Sequence, residues 1–332
     1  TLMKEILMRK VALTLSLLLP LLAAPAVNAE PVELKIATVA PNGSAWMRIF
    51  KKMNAKIKKE TAGEVNLRFY PGQVQGDERD VVRKIRTGQL QGGSFTTVGL
   101  SMINPKVLVL QMPLMFDTAK SLDKVRTALQ GEFEKSFRDK GFEMLGWGDI
   151  GWVYIFTNEP VDSKDALKKQ KVWAWQDDPL TKAMFKEAGV QPKLLGLPQV
   201  YPAMNTGMVN AVYNAPLAAL TLQWHTKVKY YTDFPLAIAI GATVVDKKEF
   251  DKISPENRVK VKEICKKYHD ALTKRVHKDN VKALKILQKT LTAVPVTAAK
   301  KKEFKDIAMR VAKKFVPRYY SQALLDKVMK LR

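Results

Sequence analysis

Residues 34–72 read LKIATVAPNGSAWMRIFKKMNAKIKKETAGEVNLRFYPG. Leu34, Ile36 and Thr38 alternate with Lys35 and Ala37, the two-residue period of a strand. Asn42-Gly43 marks a turn, and Ser44 stands where it can cap a helix bearing Trp46, Phe50, Met53 and Ile57 at helical spacing. Gly63 ends that helix. Val65, Leu67 and Phe69 alternate again and are stopped by Pro71-Gly72, so a second strand is expected. A helix from about Asp77 to Arg86, closed by Gly88, leads to a short buried strand over Gly93–Thr96. Strand, helix, strand, helix, strand in that order implies an α/β fold with a mostly parallel sheet and helices on both faces.

The same grammar returns downstream. Lys171–Trp175 reads as a strand, Asp178-Pro179 opens a helix through Met184 to Glu187, and Gly189 ends it. Val200–Thr206 predicts a short helix before Gly207, followed by the apolar strand Met208–Tyr213. Ser254-Pro255-Glu256 starts another helix, with Ser254 as cap. Ile264, Tyr268, Leu272 and Val276 form its apolar stripe, which Val281, Leu284, Leu287 and Leu291 continue with a small phase shift. With no breaker before Pro295, one continuous helix of about 35 residues is expected, ~52 Å long. That exceeds the width of one small domain, so the helix is expected to cross two. A pair of helices broken near Lys278–Asn280 is the alternative.

The chain has 332 residues, 46% of them hydrophobic, enough for a large core and more in keeping with two domains than one. Charged residues at 27% and aromatics at 8% exclude disorder over most of its length. The single cysteine, Cys265, excludes an internal disulfide framework, a cysteine-rich zinc site and an iron–sulfur cluster. Lys and Arg number 56 against 32 Asp and Glu, a formal charge of +24. From Asp246 to Arg332 there are 25 basic and 10 acidic residues, so +15 of the total falls in a stretch that reads as helical.

Lys4, Arg9 and Lys10 precede an apolar run, Val11–Ala24, and Val27-Asn28-Ala29 offers small residues at the −3 and −1 positions of a cleavage site. This is the pattern of a secretory signal peptide, 1–29, cut after Ala29. Pro20 and Pro25 interrupt the run, which is short of a bilayer span, so an exported mature protein is expected. Export makes nucleic acid an improbable partner despite the charge, and no nucleic-acid-binding motif is present.

Four segments in order carry a resemblance. Phe69-Tyr70-Pro71-Gly72-Gln73-Val74-Gln75-Gly76-Asp77-Glu78 is similar to a strand-end turn and following helix. Leu110-Gln111-Met112-Pro113-Leu114-Met115-Phe116, Leu167-Lys168-Lys169-Gln170-Lys171-Val172, and Gln199-Val200-Tyr201-Pro202-Ala203-Met204-Asn205-Thr206-Gly207-Met208-Val209-Asn210 follow with matching spacing. Together they resemble the solute-binding proteins of tripartite ATP-independent periplasmic (TRAP) transporters, dicarboxylate (DctP) type. The resemblance implies a two-domain periplasmic-binding-protein-like fold with hinge strands and a long domain-spanning helix. It also implies a small-molecule solute in the interdomain cleft, a periplasmic location, and delivery to TRAP permease membrane subunits driven by an ion gradient. The expected division is 30–151 plus about 239–278 in one domain and 152–238 plus about 279–332 in the other.

The chain leaves the family pattern where the solute's carboxylate is usually held. A guanidinium fork pairs with both oxygens of a carboxylate. The resemblance places one such arginine at Trp173 and a second near Val153, and no basic residue lies between Lys140 and Lys164. A charged ligand buried there would lack a counter-ion. The neighbourhood is aromatic instead: Trp147, Trp152, Tyr154, Trp173, Trp175, Tyr213 and Phe116; Tyr154 or Phe116 could equally be core, whereas the position of Trp173 argues for the cleft.

The expectation is a solute largely neutral and apolar or aromatic, bound by Trp173, Trp175, Trp152, Tyr213, Trp147 and Phe116. Polar contacts are expected from Asn42, Ser44, Gln176 and Asn214. A cationic solute balanced by Asp177 or Asp149 is a second option, and an ordinary carboxylate served by another basic residue a third.

Catalysis is not expected. Asp178 before Pro179 is explained as a helix cap, and His225 lacks a nucleophile motif nearby. His269 and His277 are eight residues apart, which is not a metal-pair spacing, and Cys265 falls on the apolar side of its helix. No metal and no cofactor are expected. The rival non-enzymatic reading is an exported carrier of lipid-like molecules or a sensor-associated binding protein.

Overall fold

The computed structural model describes residues 30–332, so the expected signal peptide lies outside the described residues. Among the described residues there are ten strands: β1 (Val32–Thr38), β2 (Val65–Tyr70), β3 (Gly92–Thr96), β4 (Phe142–Thr157), β5 (Trp173–Trp175), β6 (Lys193–Leu195), β7 (Ala211–Asn214), β8 (Tyr230–Thr232), β9 (Ala237–Asp246) and β10 (Thr292–Val294). Eight join one sheet in the order β10-β8-β4-β9-β3-β1-β2, with β7 also on β4, while β5 and β6 pair separately.

The opening segment folds as its pattern predicts. β1 lies parallel to both β2 and β3, and helix Ala45–Glu60 crosses between them. Ser44 caps that helix by accepting the Met47 N–H at 3.3 Å, and Phe50, Met53 and Ile57 are buried beneath it. The middle of the sheet departs from the parallel expectation. β9 runs antiparallel to both β3 and β4, because the chain returns from its second half along this strand.

β4 joins the two halves. Its residues 142–153 pair with β9, and Tyr154–Thr157 pair with β7 and β8. The ladder with β9 slips at Met144/Gly146 and again at Asp149/Gly151. Gly146 and Gly151 let the long helix lie directly on these slips. A Cβ at Gly146 would come within 2.6 Å of the His269 ring, and one at Gly151 within 2.4 Å of Asn280 Nδ2. Gly151 also has φ +126°, which side chains rarely adopt.

That helix, Pro255–Leu287, is continuous over 33 residues. Ser254 does not cap it through its side chain; its Oγ and N–H instead donate to the Glu64 carboxylate at 3.1 and 2.8 Å. The helix's buried face is Val261, Cys265, His269, Leu272, Val276, Asn280, Ala283 and Leu287, without a phase shift. Val281, expected on the stripe, is 59% exposed. The face runs through His269 and Asn280, polar residues that an apolar count passes over.

Two cores lie under the β1-side strands, one including Leu34, Phe50 and Val261 and another including Val125, Phe133 and Ile240. Two more pack in the second half, around Trp173, Trp224 and Tyr231 and around Phe185, Ala174 and Ile155. The segment 279–332 contributes to more than one of these cores. Leu287 and Leu291 pack with Trp224, whereas Val311, Phe315, Leu325 and Val328 pack in the core of the first half.

Candidate functional site

A cavity of about 240 Å³ lies where the two halves meet. From the first half it is walled by Thr38 and Thr96, at the carboxyl ends of β1 and β3, with Thr97 and Trp46. Ligand sites of open α/β sheets form beyond these strand ends. β4 and β9 supply Gly148, Ile150, Val153, Ala239 and Gly241, and the second half supplies Trp173, Trp175, Tyr213, Asn214 and Leu197. Among the described residues, no lysine or arginine lines it.

The aromatic wall is built on β5 and β7. Trp173 is buried, stacks on Tyr213 with ring centroids 4.8 Å apart, and meets Trp224 edge-on at 5.3 Å. Its indole N–H donates to the Leu195 carbonyl at 3.1 Å, so the ring is fixed at both edges. The Tyr213 hydroxyl accepts the Trp175 N–H at 3.2 Å, and burial raises its pKa above the ordinary phenol value. Trp175 turns its own indole N–H to Asp77 Oδ2 at 2.9 Å, and the Leu197 N–H donates to the same oxygen at 3.0 Å. Asp77 precedes helix Glu78–Arg86 in the first half, so one carboxylate ties the two walls together. Gly196 allows this approach, since a Cβ there would lie 2.9 Å from Asp77 Oδ2.

Polar capacity in the cavity is sparse. Asn214 uses Oδ1 on the Ala215 N–H at 2.9 Å, and its amide nitrogen has no protein partner among the described residues. Gln111 Oε1 accepts from the Thr97 hydroxyl at 2.7 Å and the Ile240 N–H at 3.2 Å, again leaving its amide nitrogen unpaired among them. The ionisable groups present are held neutral or committed. Burial lowers the pKa of His269, whose Nδ1–H faces the Cys265 carbonyl at 2.7 Å while Nε2 faces the Thr243 hydroxyl at 2.8 Å. Burial raises the pKa of Asp178, which caps helix Pro179–Ala188 through the Leu180 and Thr181 N–H groups at 2.9 and 3.2 Å. Such a site offers ring faces and a few neutral donors.

Of the ten residues proposed from sequence, Trp173, Trp175, Tyr213 and Asn214 line the cavity. Trp147 and Trp152 do not. Trp147 donates to Gln130 Oε1 at 2.8 Å and packs edge-on against Phe133, and Trp152 packs on the same core. Phe116 is buried in that core as well. Ser44 is consumed as a helix cap; Asn42 is exposed in its turn, with Oδ1 on the Gly43 N–H at 3.1 Å; Gln176 is exposed outside the lining. For Trp147 and Trp152 strand alternation explains the misplacement, because it sends neighbouring β4 side chains to opposite faces.

Asp149, considered as a counter-charge for a cation, is buried and bonded to Arg126 and to His277 Nε2 at 2.7 Å, and Asp177 pairs with Arg79 at 3.4 Å. Trp46, Thr96, Thr97 and Gln111 were missed as lining residues. The signal for Thr96 was its place at the end of a parallel strand.

Residues 36–318 match the model of the family described as bacterial extracellular solute-binding protein, family 7 (DctP). The chain is 26% identical over 228 residues to a solute-binding protein of Chromohalobacter salexigens, covering 67% of this chain. It is 25% identical over 211 residues to the 2,3-diketo-L-gulonate-binding periplasmic protein of Escherichia coli K12, covering 62% of this chain. The chain spans 66% and 63% of the lengths of those two relatives. To the C4-dicarboxylate-binding periplasmic protein of Rhodobacter capsulatus it is 23% identical over 282 residues, 83% of this chain and 82% of that one. Among solved structures, a TRAP periplasmic solute-binding protein from Ralstonia eutropha H16 with bound (S)-2-acetolactate superposes with TM-score 0.83 at 20% identity, covering 90% of this chain and 98% of that one. One from Sulfurospirillum deleyianum with bound succinate gives TM-score 0.83 at 16% identity, with 92% and 100% covered. With a four-segment resemblance, a β4-hinged fold and a family match over most of its length, the chain belongs to the DctP-type bacterial extracellular solute-binding proteins, family 7.

Proposed function

We propose that this protein is an exported, periplasmic solute-binding protein that encloses a small organic solute between its two halves and delivers it to a TRAP permease. We further propose that the solute is largely neutral and apolar or aromatic. The observation that carries the second statement is the cavity lining, which holds the Trp173–Tyr213 stack and Trp175 but no cationic side chain among the described residues. Val153 and Trp173, the positions at which the family resemblance calls for arginine, both line the cavity. The solved neighbours with bound acetolactate and succinate hold acids. In this cavity an acid's charge would face ring carbons and the carboxyl of Asp178, with no cationic side chain to balance the desolvated carboxylate. A flat or aliphatic solute is better matched, with Asn214 and Gln111 offering neutral N–H donors to a carbonyl or hydroxyl. Cys265 is no available nucleophile, because burial pushes its thiol up to about 12.

Mass spectrometry of the solute that co-purifies with natively isolated protein tests the reading. A neutral aromatic or aliphatic compound is expected. Recovery of a C4-dicarboxylate or a sialic-acid-like sugar acid would overturn the solute class while leaving the transport role standing.

A further inference from the structure

From near its middle to its end, helix Pro255–Leu287 displays Lys267, Lys274, Lys278, Lys282 and Lys285, all exposed. At 3.6 residues per turn these five fall within an arc of about 80°. The other residue in that arc between positions 267 and 285 is Ala271. Lys289, also exposed, follows just past the helix end and extends the row to about 33 Å.

None of the six takes part in a salt bridge or side-chain hydrogen bond among the described residues, and the two aspartates beside them are engaged elsewhere. Asp270 holds Lys266 at 2.8 Å and Asp279 holds Arg275 at 2.7 Å. Elsewhere on the same helix, Lys260 and Lys262 are paired with Glu256 and Glu143. On this helix the unpaired lysines are therefore concentrated in this stripe. Val281 and Ile286, 59% and 52% exposed, lie on its two sides.

We propose that this stripe docks the protein on an anionic phospholipid surface. Charge complementarity names the occupant. A lipid plane presents many mobile negative headgroups over a long flat span, which suits a row of flexible point charges. A protein partner would call for an apolar or aromatic centre surrounded by patterned hydrogen bonds, and this face has neither. The two exposed aliphatic side chains can rest shallowly among headgroups while the lysine stems extend beside them. The proposal is independent of the solute in the cavity. It gives the concentrated C-terminal charge a use: holding the loaded protein in the layer next to the membrane.

Co-sedimentation of residues 30–332, the expected mature chain, with phosphatidylcholine vesicles containing about 30% phosphatidylglycerol, against pure phosphatidylcholine, tests this. Binding is expected to the anionic vesicles alone and to weaken as salt rises past about 0.15 M. K274Q/K278Q/K282Q/K285Q should lower the partition coefficient at least tenfold. The charge-matched control K51Q/K52Q/K58Q/K59Q, on exposed positions of helix Ala45–Glu60, should leave it within twofold. Both sets replace exposed side chains, and circular dichroism melts check that each variant folds. Equal loss in both variants would show a net-charge effect and overturn the stripe. Absence of binding to anionic vesicles at low salt would overturn it too, as would full vesicle binding by the stripe variant.

Discussion

Asp77 Oδ2 accepts two N–H donors from the opposite wall of the cavity, the Trp175 indole at 2.9 Å and the Leu197 backbone at 3.0 Å. Its other oxygen accepts the Glu78 N–H at 2.8 Å and so caps the helix that follows. One side chain therefore serves its own helix and closes the cavity wall. Asp77→Ser separates the roles, because serine keeps a helix cap but is too short to bridge. We expect solute affinity to fall roughly tenfold, with a small change in the melting temperature of the empty protein and altered Trp fluorescence. Gly196→Ala, whose Cβ would press on the same oxygen, should weaken affinity similarly. Unchanged affinity in both variants would rule out Asp77 as a closing contact.

The missing cations predict a gain of function. Val153 lines the cavity, so Val153→Arg puts a guanidinium where the family resemblance calls for one. The buried charge should destabilise the empty protein by about 3 kcal/mol. Small organic acids such as succinate should then raise its melting temperature while leaving the wild type unmoved. A wild type that is itself stabilised by succinate contradicts the proposed solute class.

Asp149 sits on the β4 slip and is held by Arg126 and His277. Burial pushes its carboxyl pKa up, but His277 and Arg126 reverse this, leaving it below the ordinary 3.8. The bond to Asp149 raises His277 above 6.5. The sign follows for each group. The His277 contribution is complete below 6.5 and lost as pH rises through its raised pKa; that of Asp149 is complete above 3.8 and lost as pH falls through its lowered one. The stability gap between wild type and His277→Gln should be widest below pH 6.5 and shrink as pH rises through the raised pKa of His277. Because His277 is partly exposed, the gap will be modest. Denaturant titrations at several pH values measure it, and a gap that is flat with pH refutes the assignment.

Glu78 is buried and accepts from the Thr96 N–H at 2.7 Å, the Thr96 hydroxyl at 2.8 Å and the Gly99 N–H at 2.6 Å. Desolvation outweighs these bonds and lifts its pKa to about 7. Its raised pKa adds stability that is complete below 4.5 and lost as pH rises through about 7. Glu78→Gln would turn an amide N–H toward a donor on either side, costing about 2 kcal/mol at pH 5. The difference from wild type should shrink by pH 8. Equal differences at the two pH values would show that Glu78 does not titrate in this range.

Much of the architecture was legible because it rests on local rules. β1, helix Ala45–Glu60 and β2 follow from period-two and period-3.6 patterns bounded by Ser44, Gly63 and Pro71. The continuous helix followed from the absence of breakers between Pro255 and Leu287. The site was legible only in part. Trp173 and Asn214, chosen through their motif positions, line the cavity, whereas Trp147 and Phe116, grouped with them by composition, pack in the core.

What the sequence determined by itself was the order of elements and the absence of arginine at Val153 and Trp173. Both depend only on which residues follow one another. The tertiary structure decided what those residues face. The slips in β4 set which side chains meet the cavity, and Gly146 and Gly151 admit His269 and Asn280 to a face that an apolar count would leave to hydrophobes. Asp77 meets Trp175 across 98 residues. Such contacts arise from packing between distant segments, and no local periodicity records them.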